Sequence, residues 1–242
     1  MHNNPWWTTN TRFAEYVLKC EDPNWDPFYD EIKQHVDKLN EIAFSFGDTI
    51  EGSIFNMDNA TRDMTEVPEP KMLVKRRNYV FYVHQGRKML EVGFNAGHSA
   101  LLALTSNLNL QYVAVDLGNH PYSQPCFEYL KSLFGDRISM IVGNSLEVLP
   151  KIPYLMYDNA DFDLWHIDGG HSYDVAEADL CNVLNMAKPG QTILFDDTSA
   201  HYIRGMIDSF IVRGYVSNLS FGWLWDPNFQ MVLRVERNVG SR

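Results

Sequence analysis

The chain has 242 residues, 45% of them hydrophobic and 21% charged, which excludes a disulfide-stapled miniprotein and wholesale disorder. Its 31 acidic and 20 basic residues leave a net charge of −11, and the best basic cluster, Lys75-Arg76-Arg77, is short, so a phosphate-backbone partner is disfavoured. There is no apolar run of membrane-spanning length, no signal-peptide pattern at the start, and no CxxC among Cys20, Cys126 and Cys181, so the expectation is a cytoplasmic protein without a membrane or nucleic-acid partner.

Phe28, Ile32, Val36, Leu39, Ile42 and Ala43 fall at helical spacing opposite a charged face, which predicts a helix over 28–46. The segment 47–70 is polar, acidic and without period, the pattern of a covering loop. Together these form an N-terminal helical cap over 1–70, suited either to covering a site or to pairing two copies as a homo-oligomer. A helix is expected over 71–84. From there short apolar runs (88–92, 112–116, 138–142, 162–167, 192–195) alternate with helical stretches (99–106, 125–133, 146–149, 175–187). Continuous apolar strands separated by helices predict a parallel sheet covered on both faces. A helix over 200–212 and two last strands, 215–219 and 230–235, joined by a short turn, complete the pattern. The expected fold is α/β: a Rossmann-like doubly wound seven-stranded sheet with an antiparallel last strand, occupying 71–242.

The first strand runs into KMLEVGFNAGHSALLAL, which puts Glu91, Gly93, Asn95 and Gly97 at a strand-to-helix turn. Glycines there allow close approach of a ligand, and Asn is the side-chain-bearing residue that best tolerates a left-handed backbone. The GxGxxG spacing of a dinucleotide site is absent. The second strand ends in Asp116, placed either to accept the hydroxyls of a ribose or to cap the next turn. The third run ends in Gly143-Asn144-Ser145. These features resemble the class I S-adenosylmethionine-dependent methyltransferases, over roughly residues 71–236. The resemblance implies that Glu91, Gly93, Asn95, Gly97 and Ser99 face the amino-acid end of S-adenosyl-L-methionine. It also implies that Asp116 takes the ribose, that Asn144 and Ser145 flank the adenine, and that Asp168 adds a further contact. The family commonly has glycine at the position of Asn95 and aspartate at that of Asn144.

The stretch FDLWHIDGGHSYDVAEADL delivers Asp168 and, after two glycines, His171; the strand QTILFDDT then delivers Asp196 and Asp197. Neighbouring parallel strands lie about 4.8 Å apart, so these acids share one sheet edge. Three carboxylates gathered there favour a cation, and oxygen donors favour a hard one. Simple solvation of the strand ends is the alternative. The pattern resembles a metal-dependent sugar O-methyltransferase subgroup of the macrocin O-methyltransferase type. That resemblance implies a divalent ion such as Mg2+ on Asp168 and Asp197, with Asp196 as third ligand, and His171 as general base for a sugar hydroxyl. His201 is the alternative base, and His166, inside a strand, reads as a core histidine. A phenolic or other natural-product acceptor, and a cofactor-binding module without turnover, are the competing readings.

Overall fold

The computed structural model describes residues 11–56, 72–156, 160–220 and 229–239. Trp6, Trp7, Trp223 and Trp225, the acids Asp58, Asp63 and Glu66, and the expected domain boundary near residue 70 lie outside them. The chain divides into two units that interleave along the sequence. One comprises Met1–Arg87, Asn95–Gln111 and Asn119–Ile138; the other comprises Lys88–Phe94, Tyr112–Gly118 and Ser139–Arg242.

The first unit is helical: α1 (Thr11–Lys19), α2 (Tyr29–Ser45), α3 (Leu73–Val83), α4 (His98–Ser106) and α5 (Ser123–Phe134). The helix α1 was not anticipated. Ile32, Val36, Leu39 and Ala43 form the buried stripe of α2, which packs against α4 and α5, while α3 packs against α4. The basic cluster is no surface patch. Arg76 is 1% exposed, with its Nε donating to Asp26 Oδ1 at 2.8 Å, and the buried Arg77 donates to the Trp25 carbonyl oxygen. A guanidinium held in this way is a packing device, with its charge and donors satisfied inside the unit.

The second unit carries β1 (Lys88–Val92), β2 (Gln111–Asp116), β3 (Ile138–Val142), β4 (Leu164–Ile167), β5 (Thr192–Phe195), β6 (Val216–Asn218) and β7 (Met231–Val235). Its helices are α6 (Ser145–Val148), α7 (Ile152–Leu155), α8 (Tyr173–Met186) and α9 (His201–Val212). The strands form one seven-stranded sheet in the order β3-β2-β1-β4-β5-β7-β6. Strand order steps outward from β1 in both directions, which makes the fold Rossmann-like and doubly wound with a switch point between β1 and β4. The pairs β1–β4 and β4–β5 are parallel; β7 runs antiparallel between β5 and β6.

Leu90, Val92, Trp165, Ile167, Ile193, Phe195, Met231 and Leu233 pack on Leu180 and Val183 of α8 and on Met206 and Phe210 of α9. The alternate residues Met89, Leu164, Leu194 and Val232 are also buried, which is why the runs read as continuously apolar. Each such side chain stabilises the fold by roughly 1.5–3 kcal/mol. Among the described residues, no helix is long and apolar enough to cross a membrane.

Candidate active site at the carboxyl edge of the sheet

At the switch point two backbones close on one another. Asp168 N donates to Val92 O at 2.9 Å, and Gly93, with φ +93°, approaches so closely that a Cβ on it would stand 2.0 Å from the Asp168 carbonyl oxygen. Gly93 N donates to Val115 O, and Phe94 N donates to Asp116 Oδ2, both at 2.8 Å. The other carboxylate oxygen of Asp116 accepts from Gly118 N at 2.8 Å, and its carbonyl accepts from Gly143 N at 2.7 Å. Asp116, 8% exposed, therefore pins the ends of three strands together. Asn144 caps α6 by accepting from Leu146 N at 3.0 Å, and Ser145 is the first residue of that helix.

Glu91 is wholly buried, and its carboxylate accepts from His166 Nδ1 at 3.0 Å; the two are register partners on β1 and β4. Asp196 Oδ2 lies 3.7 Å from the other ring nitrogen. Burial, the largest influence on His166, lowers its pKa. The contacts with Asp196 and Glu91 and the charge of Asp168 outweigh it and raise the pKa to about 10. The expected core histidine thus lies between two acids that favour its charged form. Its sequence signal was a polar residue on the same strand face as Glu91 one strand away, legible only once β1 and β4 are known to pair. His166, Asp168 and Asp196 each offer an atom within 4.8 Å of the others, a separation suited to a bound cation. In that group the two carboxylates are the oxygen donors that suit a hard ion.

Asp197 stands apart from that group. Its carboxylate pairs with His171 Nδ1 at 2.8 Å, and both side chains are solvent-accessible, 39% and 56% exposed. Asp197 also holds φ +56°, an unfavourable backbone for a residue with a side chain, while its N–H donates to Asp196 Oδ1 at 2.9 Å. An Nδ1–H bound to a carboxylate leaves Nε2 as the basic nitrogen of the ring. His201 opens α9, exposed, with its ring edge-on to Tyr202.

The remaining loop residues belong to the helical unit. Asn95, at φ +52°, donates through Nδ2 to Gly52 O at 3.3 Å and accepts from Tyr122 Oη at 2.6 Å. Gly97, at φ +79°, precedes α4 and Ser99 sits in its first turn. His98 is buried, bonds Asn40 of α2 at 2.9 Å, and is pushed down to about pKa 4 by burial.

Asp179 was not anticipated. It is fully buried on α8, its Oδ2 3.3 Å from where a Cβ on Gly169 would lie. Burial pushes its carboxyl up from 3.8 to about 6, opposed by the Ser145 hydroxyl. The folded protein holds this proton more tightly than the unfolded chain. The stabilisation is full below pH 3.8 and is lost as pH rises through about 6. Asp179→Asn is therefore expected to raise unfolding free energy near neutral pH by ~2 kcal/mol and to flatten its dependence over that window. Urea unfolding across pH checks this; an unchanged pH profile would show that Asp179 titrates alike in both states.

Residues 90–198 match the family model described as Methyltransferase domain. No curated protein matches the chain. Similar solved structures include the O-methyltransferase from Bacillus cereus in complex with SAH (TM-score 0.59, 15% identity, 95% of this chain and 99% of that one covered). The SAH-bound Podospora anserina methyltransferase PaMTH1 is comparable (TM-score 0.60, 15% identity, 98% and 99% covered). The MycE methyltransferase of the mycinamycin pathway, in complex with Mg and SAH, aligns less fully (TM-score 0.50, 14% identity, 84% of this chain and 56% of that one). At these identities the likeness is one of fold.

Proposed function

We propose that the chain is an S-adenosylmethionine-dependent O-methyltransferase acting on a hydroxyl of a small acceptor of the sugar class. The observation that carries this reading is the accessible His171–Asp197 pair, at 2.8 Å, beside Asp168 at the carboxyl edge of a doubly wound sheet. The methyltransferase-domain match over 90–198 and the fold of the SAH-bound neighbours support it.

The residues suit the cofactor. In the sheet unit, the tight turn at Gly93, the acid ending β2 and the small polar residues opening α6 offer close backbone approach, a ribose acceptor and adenine-sized neighbours in turn. The cofactor supplies a methyl group on a cationic sulfur, so the chain has to place an oxygen nucleophile in line and remove its proton. His171 Nε2 takes that proton, and Asp197 fixes the ring and stabilises the imidazolium that results. Glu91 acts from within by holding His166, which in turn orients Asp196.

Asp168 and Asp196 would hold a divalent ion, in line with the habit of Mg2+ of taking one or two carboxylates and completing its shell with water and substrate. Such an ion would supply a Lewis acid that lowers the pKa of the acceptor hydroxyl.

Calorimetric titration with S-adenosylhomocysteine, then methyl transfer to panels of glycosides and phenols, tests the proposal. Saturable binding and turnover of a glycoside are expected, with activity lost after EDTA dialysis and restored by Mg2+. Absence of cofactor binding would sink the function, turnover of phenols alone the sugar acceptor, and full activity after EDTA the metal.

A further inference from the structure

Glu91 and His166 are buried polar residues outside the apolar cluster that packs on α8 and α9. Glu91 and His166 are register partners, as are His166 and Leu194, and Phe195 pairs with Met231 on the core side. The β5–β7 pairing ends at Phe195 and Met231; Asp196 and Gln230 are the next residues beyond it, and Asp196 Oδ2 lies 3.7 Å from His166 Nε2. Thr198 follows, its N–H donating to Phe229 O at 3.2 Å. Gln230 and Thr198 are 1% and 3% exposed. Among the described residues, neither polar atom of the Gln230 amide nor the Thr198 hydroxyl has a hydrogen-bond partner. Unpaired buried amides destabilise a fold, and a leucine of similar size would avoid that at no loss of packing. Polar groups left in this way point to a partner outside the chain.

We infer that Gln230 and Thr198 form a hydrogen-bonding subsite for a second polar group of the acceptor, one that both donates and accepts, such as a hydroxyl near the one that is methylated. The inference rests on the methyl-transfer reading above and adds a specificity determinant to it. Asp197, the partner of His171, lies between Asp196 and Thr198 in sequence, each Cα about 3.8 Å from the next. The partner of the base and one residue of the subsite therefore share one short segment. A primary amide offers a donor and an acceptor side by side, and a hydroxyl can answer both. A site built to bond a hydroxyl discriminates sharply against the analogue that lacks it.

The test compares trans-cyclohexane-1,2-diol with cyclohexanol, and catechol with phenol, by ligand-observed NMR on the full chain, with and without S-adenosylhomocysteine. The second hydroxyl is expected to tighten binding by about ten-fold. Gln230→Leu and Thr198→Val should each shrink that preference, with cofactor affinity unchanged, and Gln230→Leu should raise the melting temperature. Equal binding of diol and mono-alcohol to the wild type, or a preference that survives both substitutions, would overturn the subsite. Failure of S-adenosylhomocysteine to bind would instead overturn the methyl-transfer reading, and the comparison made without it still decides the subsite.

Discussion

Replacing His171 by alanine is expected to lower kcat for methyl transfer by ~10²–10⁴ while leaving cofactor affinity unchanged, because proton removal from a hydroxyl is lost and binding is not. Asp197→Asn should cost nearly as much. An amide can keep the contact with Nδ1 at the observed 2.8 Å, but it can donate there as well, which moves the ring proton to Nε2 and removes the base. It also cannot stabilise an imidazolium, so the acidic limb of the pH–rate profile should move to lower pH. Asparagine tolerates the left-handed backbone that Asp197 adopts at φ +56°, so the substitution probes the carboxylate rather than the turn. Asp197 is in this sense a positioning residue, and the pH profile separates that role from a structural one. Steady-state kinetics decide the matter: full turnover in His171→Ala, with loss in His201→Ala, would move the base to α9.

The second large effect is on the fold itself. Gly93→Ala is expected to destabilise the protein by more than ~4 kcal/mol, a fall in Tm on the order of 10 °C. Two causes add. At φ +93° a side chain is strained, and its Cβ would stand 2.0 Å from the Asp168 carbonyl oxygen and 2.7 Å from its carbon. Neither atom can retreat without breaking the bond from Asp168 N to Val92 O. Gly190→Ala is the control, since Gly190 has a similar φ of +90° and nothing within 4 Å of the added carbon. That variant should lose only the conformational part, ~1–2 kcal/mol. Equal losses in the two variants, measured by thermal unfolding, would show that the close approach at the switch point does not exist.

Both effects come from one edge of the sheet, where Gly93 adopts a positive φ that glycine takes without strain and Asp197 holds one that is unfavourable for a residue with a side chain. Positive φ values there are compatible with a site in which the backbone is held in unusual geometry by its surroundings. The ion pair at His171 is exposed, and so stabilises the fold little. Its chemistry, more than its contribution to stability, gives it interest.

Much of the scaffold was legible in the sequence. The runs at 88–92, 138–142 and 192–195 appear as β1, β3 and β5 with those bounds; β1 and β5 are largely buried along their length and read as mainly apolar, while in β3 only Ile138 is buried. The glycine loop and the acids ending strands could be read too, since glycines at turns and polar residues after apolar runs are local signals. α1 could not, and the run at 162–167 contributes only Leu164–Ile167 to β4, since strand ends depend on their neighbours.

The partners of the charged groups were a different matter. Sequence placed Asp168, Asp196 and Asp197 at one edge and left His166 in the core. Only the assembled sheet decided that His166 lies between Glu91 and Asp196 and that Asp197 turns instead to His171. The physical reason is that a strand tells which residues share a face, through its period of two, but not which strand lies beside it or at what offset. Electrostatics among these residues changes over a few ångströms, so their charge states and roles were fixed by that offset and by burial, which are properties of the assembled sheet.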